Sequence, residues 1–153
     1  MVKNLWVFVL SFSGIFIIDQ NIKALFLEGY RWYGEYFSLI LTLNKGVAFS
    51  MFAFLGENLK FIQLALIGGI GVYLLMQQEL FKQHTLAFGI LLGAGSSNLY
   101  DRFIHGGVVD YIFWHKWFEF AVFNFADMMI NFAVVLILWQ SLTGHKMKTA
   151  HES

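Results

Sequence analysis

Asp110, in VVDYIF, and Asp127, in FNFADMMI, have the neighbours best suited to acid–base chemistry. A solitary aspartate in a loop is ordinarily solvated. Asp110, however, sits between Val109 and Tyr111 in an apolar, aromatic segment, where loss of water raises a carboxyl pKa. Asp127 follows Asn124 by three residues at the start of a long uncharged run. There Asn124 can cap a helix and the helix dipole favours an anion in the first turn. Capping alone would account for both residues, but not for an acid at the mouth of an uncharged span, which is a functional candidate by default. Two carboxylates sharing a partly dry site cannot easily both ionise, so one keeps its proton while the other acts as a base. That pairing can activate water against an amide carbonyl. The dipole argues for Asp127 as base and Asp110 as acid, although a coupled pair titrates as a unit.

Other polar residues stand near these two. Asn98 and Arg102 are four apart and share a helix face, as do Asp19 and Lys23. Arg102 either snorkels to the membrane interface or holds a carboxylate, which could be Asp101, Asp110 or Asp127. Asp19 and Lys23 are either a helix-end ion pair or part of a site, and in both cases their face should point at protein rather than lipid.

Alternative chemistries lack their residues. The chain has no cysteine, which removes disulfides, thiolate metal sites and a cysteine nucleophile. Ser96 and Ser97 lie outside any G-x-S-x-G context. His84, His105, His115, His145 and His151 show no zinc-ligand spacing, and His105 and His115 read as interfacial. No phosphate-binding or dinucleotide fingerprint occurs. No metal or other cofactor is expected.

The elements that must position these groups are membrane helices. Of 153 residues, 58% are hydrophobic and only 13% charged, against about 25% charged in soluble domains. Net charge is +0 with no dense basic run, so nucleic acid is not an expected partner. The windows Phe61–Gln78, Gln83–Tyr100 and Met128–His145 each hold 18 residues without Lys, Arg, Asp or Glu, the length of a spanning helix. Asn4–Ile18 holds only 15, so a first span must continue through Asp19 and Lys23 towards Leu27. No small-x-small cleavage site follows it, so it reads as a retained span rather than a signal peptide.

Four spans put both termini and a short Glu79–Lys82 loop on one side. Asp19, Lys23, Asn44, Asn98, Asp101, Arg102, Asp110, Asn124 and Asp127 then collect on the other. Positive charge is denser per loop residue on the sparse side, which predicts cytoplasmic termini. Between the first two spans, Tyr30, Trp32, Tyr33, Tyr36 and Phe37 suit an interfacial belt. Phe37–Leu43 and Val47–Leu55 flank Asn44-Lys45-Gly46 as a hairpin would, and a small sheet on the membrane surface is expected. Nothing marks a second domain, so residues 1–153 read as one.

The ordered set IDQNIK, LNKGVAFSMF, NLYDRFIHGGVVDYI and FNFADMMI resembles the lipoprotein signal peptidases, or signal peptidase II. The resemblance implies a bacterial inner-membrane aspartyl endopeptidase without a metal. Such an enzyme cuts the signal peptide from a prolipoprotein just before a diacylglyceryl-modified cysteine. Asp110 and Asp127 match its catalytic pair. Asp19, Lys23, Asn44, Gly46, Ala48, Asn98, Asp101, Arg102 and Asn124 match positions that bind substrate or shape the site. It further implies four transmembrane helices, an extracytoplasmic β-cradle and a nearby amphipathic helix. The expected partners are the lipid-modified substrate and membrane lipid, and the chain itself is expected to be a monomer. Two positions depart from the pattern, Ser97 for a usual glycine and Lys45 for a small polar residue.

Overall fold

The computed structural model describes residues 2–46 and 53–151. Four long helices, α1 (Val2–Leu27), α2 (Asn58–Met76), α3 (Gln78–Ile104) and α4 (Phe125–His151), carry a small antiparallel sheet. The sheet is β1 (Trp32–Tyr33), β2 (Phe37–Asn44) and β3 (Val108–Trp114), in that order. Ala53–Leu55 forms a single 3-10 turn.

α1 runs unbroken through Asp19 and Lys23, as its short uncharged window requires, and buries both side chains. Three helices, Val2–Leu27, Asn58–Met76 and Phe125–Thr143, are long and apolar enough to cross a membrane. α3 is the buried helix at the centre, packed against α1, α2, α4 and β3. It carries Asn98, Asp101 and Arg102 in its last two turns and Glu79 and Lys82 in its first. The expected Glu79–Lys82 loop is therefore helix. Gln77 alone separates α2 from α3, and Lys82 reaches back one turn to Glu79 at 2.6 Å.

The distribution of polarity is inverted relative to a protein in water. Lys23, His84, Asn124, Asp19, Asp101, Asp110 and Ser97 are among the most completely buried side chains, while Leu10, Leu66, Leu75 and Leu142 are exposed. Apolar surface outside and satisfied polar groups inside is the arrangement that hydrocarbon selects. The chain is a membrane protein.

Close approach of α1 to α3 is set by Gly89 and Gly93, a small-xxx-small pair of the kind that brings membrane helices together. A Cβ on Gly93 would lie 2.5 Å from the Phe12 carbonyl oxygen, whereas one on Gly14 would meet nothing within 4 Å. Gly93→Ala is therefore expected to force the helices apart at a cost of about 1–3 kcal/mol, read as a lower unfolding midpoint in detergent. Gly14→Ala should leave that midpoint unchanged or slightly raised.

Phe37–Leu43, the first arm of the expected hairpin, lies within β2. β2 pairs with β1 and with β3, which follows it by more than sixty residues, and Thr42 stands opposite Asp110. Asp110 is thus a strand residue rather than a loop residue. Gly106, at φ 71°, turns the chain out of α3, and Gly107 lies where a Cβ would meet the Asn44 carbonyl oxygen at 3.1 Å. Alternating hydrophobicity marks a strand but cannot name a distant partner. Val47–Phe52, the greater part of the expected return strand, and Ala48 lie outside the described residues. Among the described residues the α-helices are the four named above, so the nearby amphipathic helix that the resemblance implies is not among them.

Candidate active site

The N-terminus of α4 is satisfied donor by donor, and this organises the site. Four N–H groups at a helix start lack intrahelical partners. Here Phe125 N–H donates to the Tyr111 hydroxyl at 3.0 Å, Ala126 N–H to Asp19 Oδ1 at 2.9 Å, and Asp127 N–H to Asn124 Oδ1 at 2.8 Å. Met128 N–H reaches the Asn124 carbonyl at 3.4 Å. Asp127 Oδ2 accepts the Asn124 N–H in return at 3.2 Å, which makes the pair a capping box. Capping and positioning are one arrangement at Asn124. Its Nδ2 donates to Asp110 Oδ1 at 2.7 Å and to Asn98 Oδ1 at 3.0 Å.

Tyr111 is held in turn by stacking on Phe26, with ring centroids 4.2 Å apart and planes 9° from parallel. Burial pushes its phenol well above the usual range. The Phe123 carbonyl accepts N–H groups of Tyr111 and Ile112 at 3.1 and 2.8 Å, fastening β3 to the segment that enters α4.

Beneath the cap lies an ionic cluster. Lys23 Nζ sits 2.6 Å from Asp19 Oδ2 and 2.7 Å from Asp101 Oδ2, and donates to Asn98 Oδ1 at 2.8 Å. Asp19 thereby links α1 to α4, and Asp101 accepts the Val109 N–H at 3.1 Å, fixing the strand residue beside Asp110. Ser97, one of the two departures from the family pattern, does more than pack. Its hydroxyl donates to Asp19 Oδ2 at 2.6 Å and accepts from Gln20 Nε2 at 2.8 Å. Gln20 also donates to Asp101 Oδ1 at 2.8 Å. Buried charges persist only when paired and hydrogen-bonded, and each member of this cluster is.

Asp110 and Asp127 line one cleft of about 640 Å³ between α2, α3, α4 and residues 120–123. Asp110 accepts Asn44 Nδ2 at 3.0 Å and Asn124 Nδ2, while Asp127 accepts Asn98 Nδ2 at 2.9 Å and the Asn124 N–H. Two donors each leave the aspartates alike in hydrogen bonding. Burial, followed by the nearby charge of Asp127, pushes the Asp110 carboxyl up to about 7, against the opposing pull of the bonds from Asn44 and Asn124. A carboxyl that titrates near neutrality beside a second carboxylate can pass a proton in either direction.

Asn44 is itself set by a turn, its Oδ1 accepting the Gly46 N–H at 2.9 Å. Lys45 is exposed. Of the two readings open for Arg102, the carboxylate-holding one is not met. Arg102 forms no ion pair with Asp101, Asp110 or Asp127 among the described residues, and donates instead through Nε to Gln63 Oε1 at 2.9 Å and through Nη2 to the Gly46 carbonyl. Of the site residues singled out in the sequence, Asp19, Lys23, Asn44, Gly46, Asn98, Asp101, Arg102, Asp110, Asn124 and Asp127 are brought to this one region, and Ala48 lies outside the described residues. Gln20, Gln63 and Tyr111 join them without a motif to announce them. A glutamine inside an apolar span is the signal that points to Gln63. Among the described residues no three His, Asp or Glu side chains converge as metal ligands.

The family described as Signal peptidase (SPase) II matches residues 11–143. The chain is 55% identical over 146 residues to a lipoprotein signal peptidase of Campylobacter jejuni, covering 95% of this chain and 94% of that one. A lipoprotein signal peptidase of Sulfurimonas denitrificans is 58% identical, covering 90% and 88%, and one of Wolinella succinogenes is 56% identical, covering 94% and 96%. A solved bacterial membrane enzyme shares the fold at TM-score 0.76 and 23% identity, over 92% of this chain and 90% of its own. A second superposes at TM-score 0.72 and 22% identity, over 88% and 92%. With the family match running from residue 11 to residue 143, this chain belongs to the signal peptidase II family and is a membrane peptidase.

Proposed function

We propose that this protein is an aspartic endopeptidase that removes the signal peptide from diacylglyceryl-modified prolipoproteins, with Asp110 and Asp127 as its catalytic pair. The observation that carries the reading is the cleft in which two aspartates from different elements are joined through Asn124. Its other walls are Leu59, Ile62, Leu66, Met128 and Ile130, which suit a signal helix whose attached lipid chains stay in the bilayer. Asp127 takes a proton from the attacking water as general base. Asp110, protonated below about pH 7, donates its proton to the carbonyl oxygen; as the tetrahedral intermediate collapses, Asp127 passes the proton taken from water to the leaving amine and Asp110 takes back the hydroxyl proton, which restores the pair. Asn98, Asn124 and Asn44 hold the two carboxylates at fixed orientations. Asp19, Lys23 and Asp101 anchor the helices and strand that carry them.

All four helices cross the bacterial inner membrane in this reading. Both termini are cytoplasmic, and the sheet forms a cradle at the extracytoplasmic face. Lys3, Lys82, Lys146 and Lys148 on the short-loop side support that orientation. The protein works as a monomer on a lipid-modified substrate. The test is cleavage of a diacylglyceryl-modified prolipoprotein beside its unlipidated form. Cleavage confined to the lipidated form is expected, and equal cleavage of both would remove lipid recognition from the assignment.

The acid role of Asp110 sets a pH dependence. Its carboxyl is raised from the ordinary value, so the active protonated form is lost as pH rises through about 7. A plot of kcat/KM against pH should fall about tenfold per unit on that limb. Asn44→Ala removes a bond that favours the ionised carboxylate and should move the limb to higher pH. A limb that stays in place would count against Asp110 as its origin.

A further inference from the structure

Between Lys60 and Tyr73, Gln63 is the one strongly polar side chain of α2. An amide in so apolar a helix is unfavourable unless it is used. Gln63 is half-buried and lines the cleft with Asp110, Asp127 and Arg102. Its Oε1 accepts Arg102 Nε at 2.9 Å and its Nε2 donates to the Gly95 carbonyl at 3.3 Å. Arg102 thus lines a cleft that holds two carboxylates, yet both of its hydrogen bonds there run to neutral oxygens, those of Gln63 and Gly46. A guanidinium is a rigid planar fork, so engaging Nε with α2 and Nη2 with the Gly46 turn fixes its plane.

We propose that Gln63 is a positioning residue of the hydrolytic site, tethering the Arg102 guanidinium to α2 so that it faces the cleft without pairing with Asp110 or Asp127. The inference rests on the reading of those aspartates as the catalytic pair. A released guanidinium would settle against a carboxylate, since a bidentate charged pair is stronger than a bond to an amide oxygen. Paired with Asp110, it would hold the acid ionised. Paired with Asp127, it would quench the base. The charged groups around Asp110 are Asp127 from α4, Arg102 and Asp101 from α3, and Lys23 and Asp19 from α1. Lys23 is already committed to Asp19 and Asp101, so among the described residues that line the cleft Arg102 is the cation able to change partner.

The test uses the full chain purified in lipid, a diacylglyceryl-modified prolipoprotein and profiles of kcat/KM against pH. Gln63→Met keeps length and removes both hydrogen bonds. It is expected to lower kcat/KM about tenfold at neutral pH, the scale of a lost bond to a charged group, and to move the alkaline limb to lower pH. Gln63→Glu keeps the acceptor for Arg102 and should stay within about threefold of the parent. If Gln63 were only a packing clip to Gly95, Gln63→Glu would be the worse variant, because it loses the donor and sets a charge against a carbonyl. In an Arg102→Lys background, which lacks Nε, Gln63→Met should change kcat/KM less than about twofold.

A parent-like profile for Gln63→Met, or the same loss in both backgrounds, overturns the proposal. Should Gln63→Met fail to accumulate, Gln63→Glu decides, and a folded but inactive Gln63→Glu overturns it as well. If Asp127→Asn retains cleavage, the aspartate mechanism fails and takes this inference with it. A silent Gln63→Met beside an inactive Asp127→Asn removes this inference alone.

Discussion

Asp127→Asn and Asp110→Asn are each expected to lower kcat/KM on a lipidated prolipoprotein by about 10²–10⁴-fold, the range for loss of a positioned acid or base. The double variant should fall little further, because residues that act as a unit are not additive. Neither change should unfold the protein. An amide at position 110 retains an oxygen for the side chain of Asn124 or Asn44, and an amide at position 127 retains one for the capping box. Removing one of two neighbouring buried carboxylates also relieves like-charge repulsion. The unfolding midpoint should therefore hold or rise while cleavage disappears. Cleavage within tenfold of the parent by either folded single variant would exclude the proposed mechanism.

The second large effect is expected at Lys23, whose side chain is 1% exposed between Asp19 and Asp101. Lys23→Met leaves two buried carboxylates without a cation, and breaking a buried pair in this way costs about 3–5 kcal/mol. The variant should accumulate poorly or unfold at a much lower temperature in detergent. Adding Asp19→Asn and Asp101→Asn, which removes the uncompensated charges, should recover much of that loss. The recovered protein should still cleave poorly, because Asp19 receives the Ala126 N–H at the start of α4 and Asp101 the Val109 N–H beside Asp110. A Lys23→Met variant as stable as the parent would show that the cluster does not support the helices.

The two predictions separate roles that local sequence leaves mixed. Asp19 and Lys23, four apart in IDQNIK, are compatible with a simple helix-end pair. The third member, Asp101, comes from a helix more than seventy residues later, and Asn98 adds a further bond. Arg102 shows the opposite case. A basic residue near several acids invites an ion-pair assignment, but its reach is decided by where α2 and the Gly46 turn lie, and these supply neutral oxygens instead.

What the amino-acid sequence determined by itself is the solvent and the grouping. Uncharged stretches near the length of a bilayer specify membrane helices. In lipid a spanning segment must pair its own backbone groups, which selects helices, and their alternation predicts a single face for Asp19, Asn98, Asp110 and Asp127. The capping pattern from Asn124 to Asp127 was local and equally legible. Only the tertiary structure decided that β2 pairs with β3, and that Asn124 bridges both aspartates. It likewise decided that Gln63 holds Arg102. The Asn124–Asp110 contact spans 14 positions and the Gln63–Arg102 contact 39, while the paired strands stand more than sixty apart. Local pattern records which face of an element is apolar, but not which distant backbone or side chain will meet it.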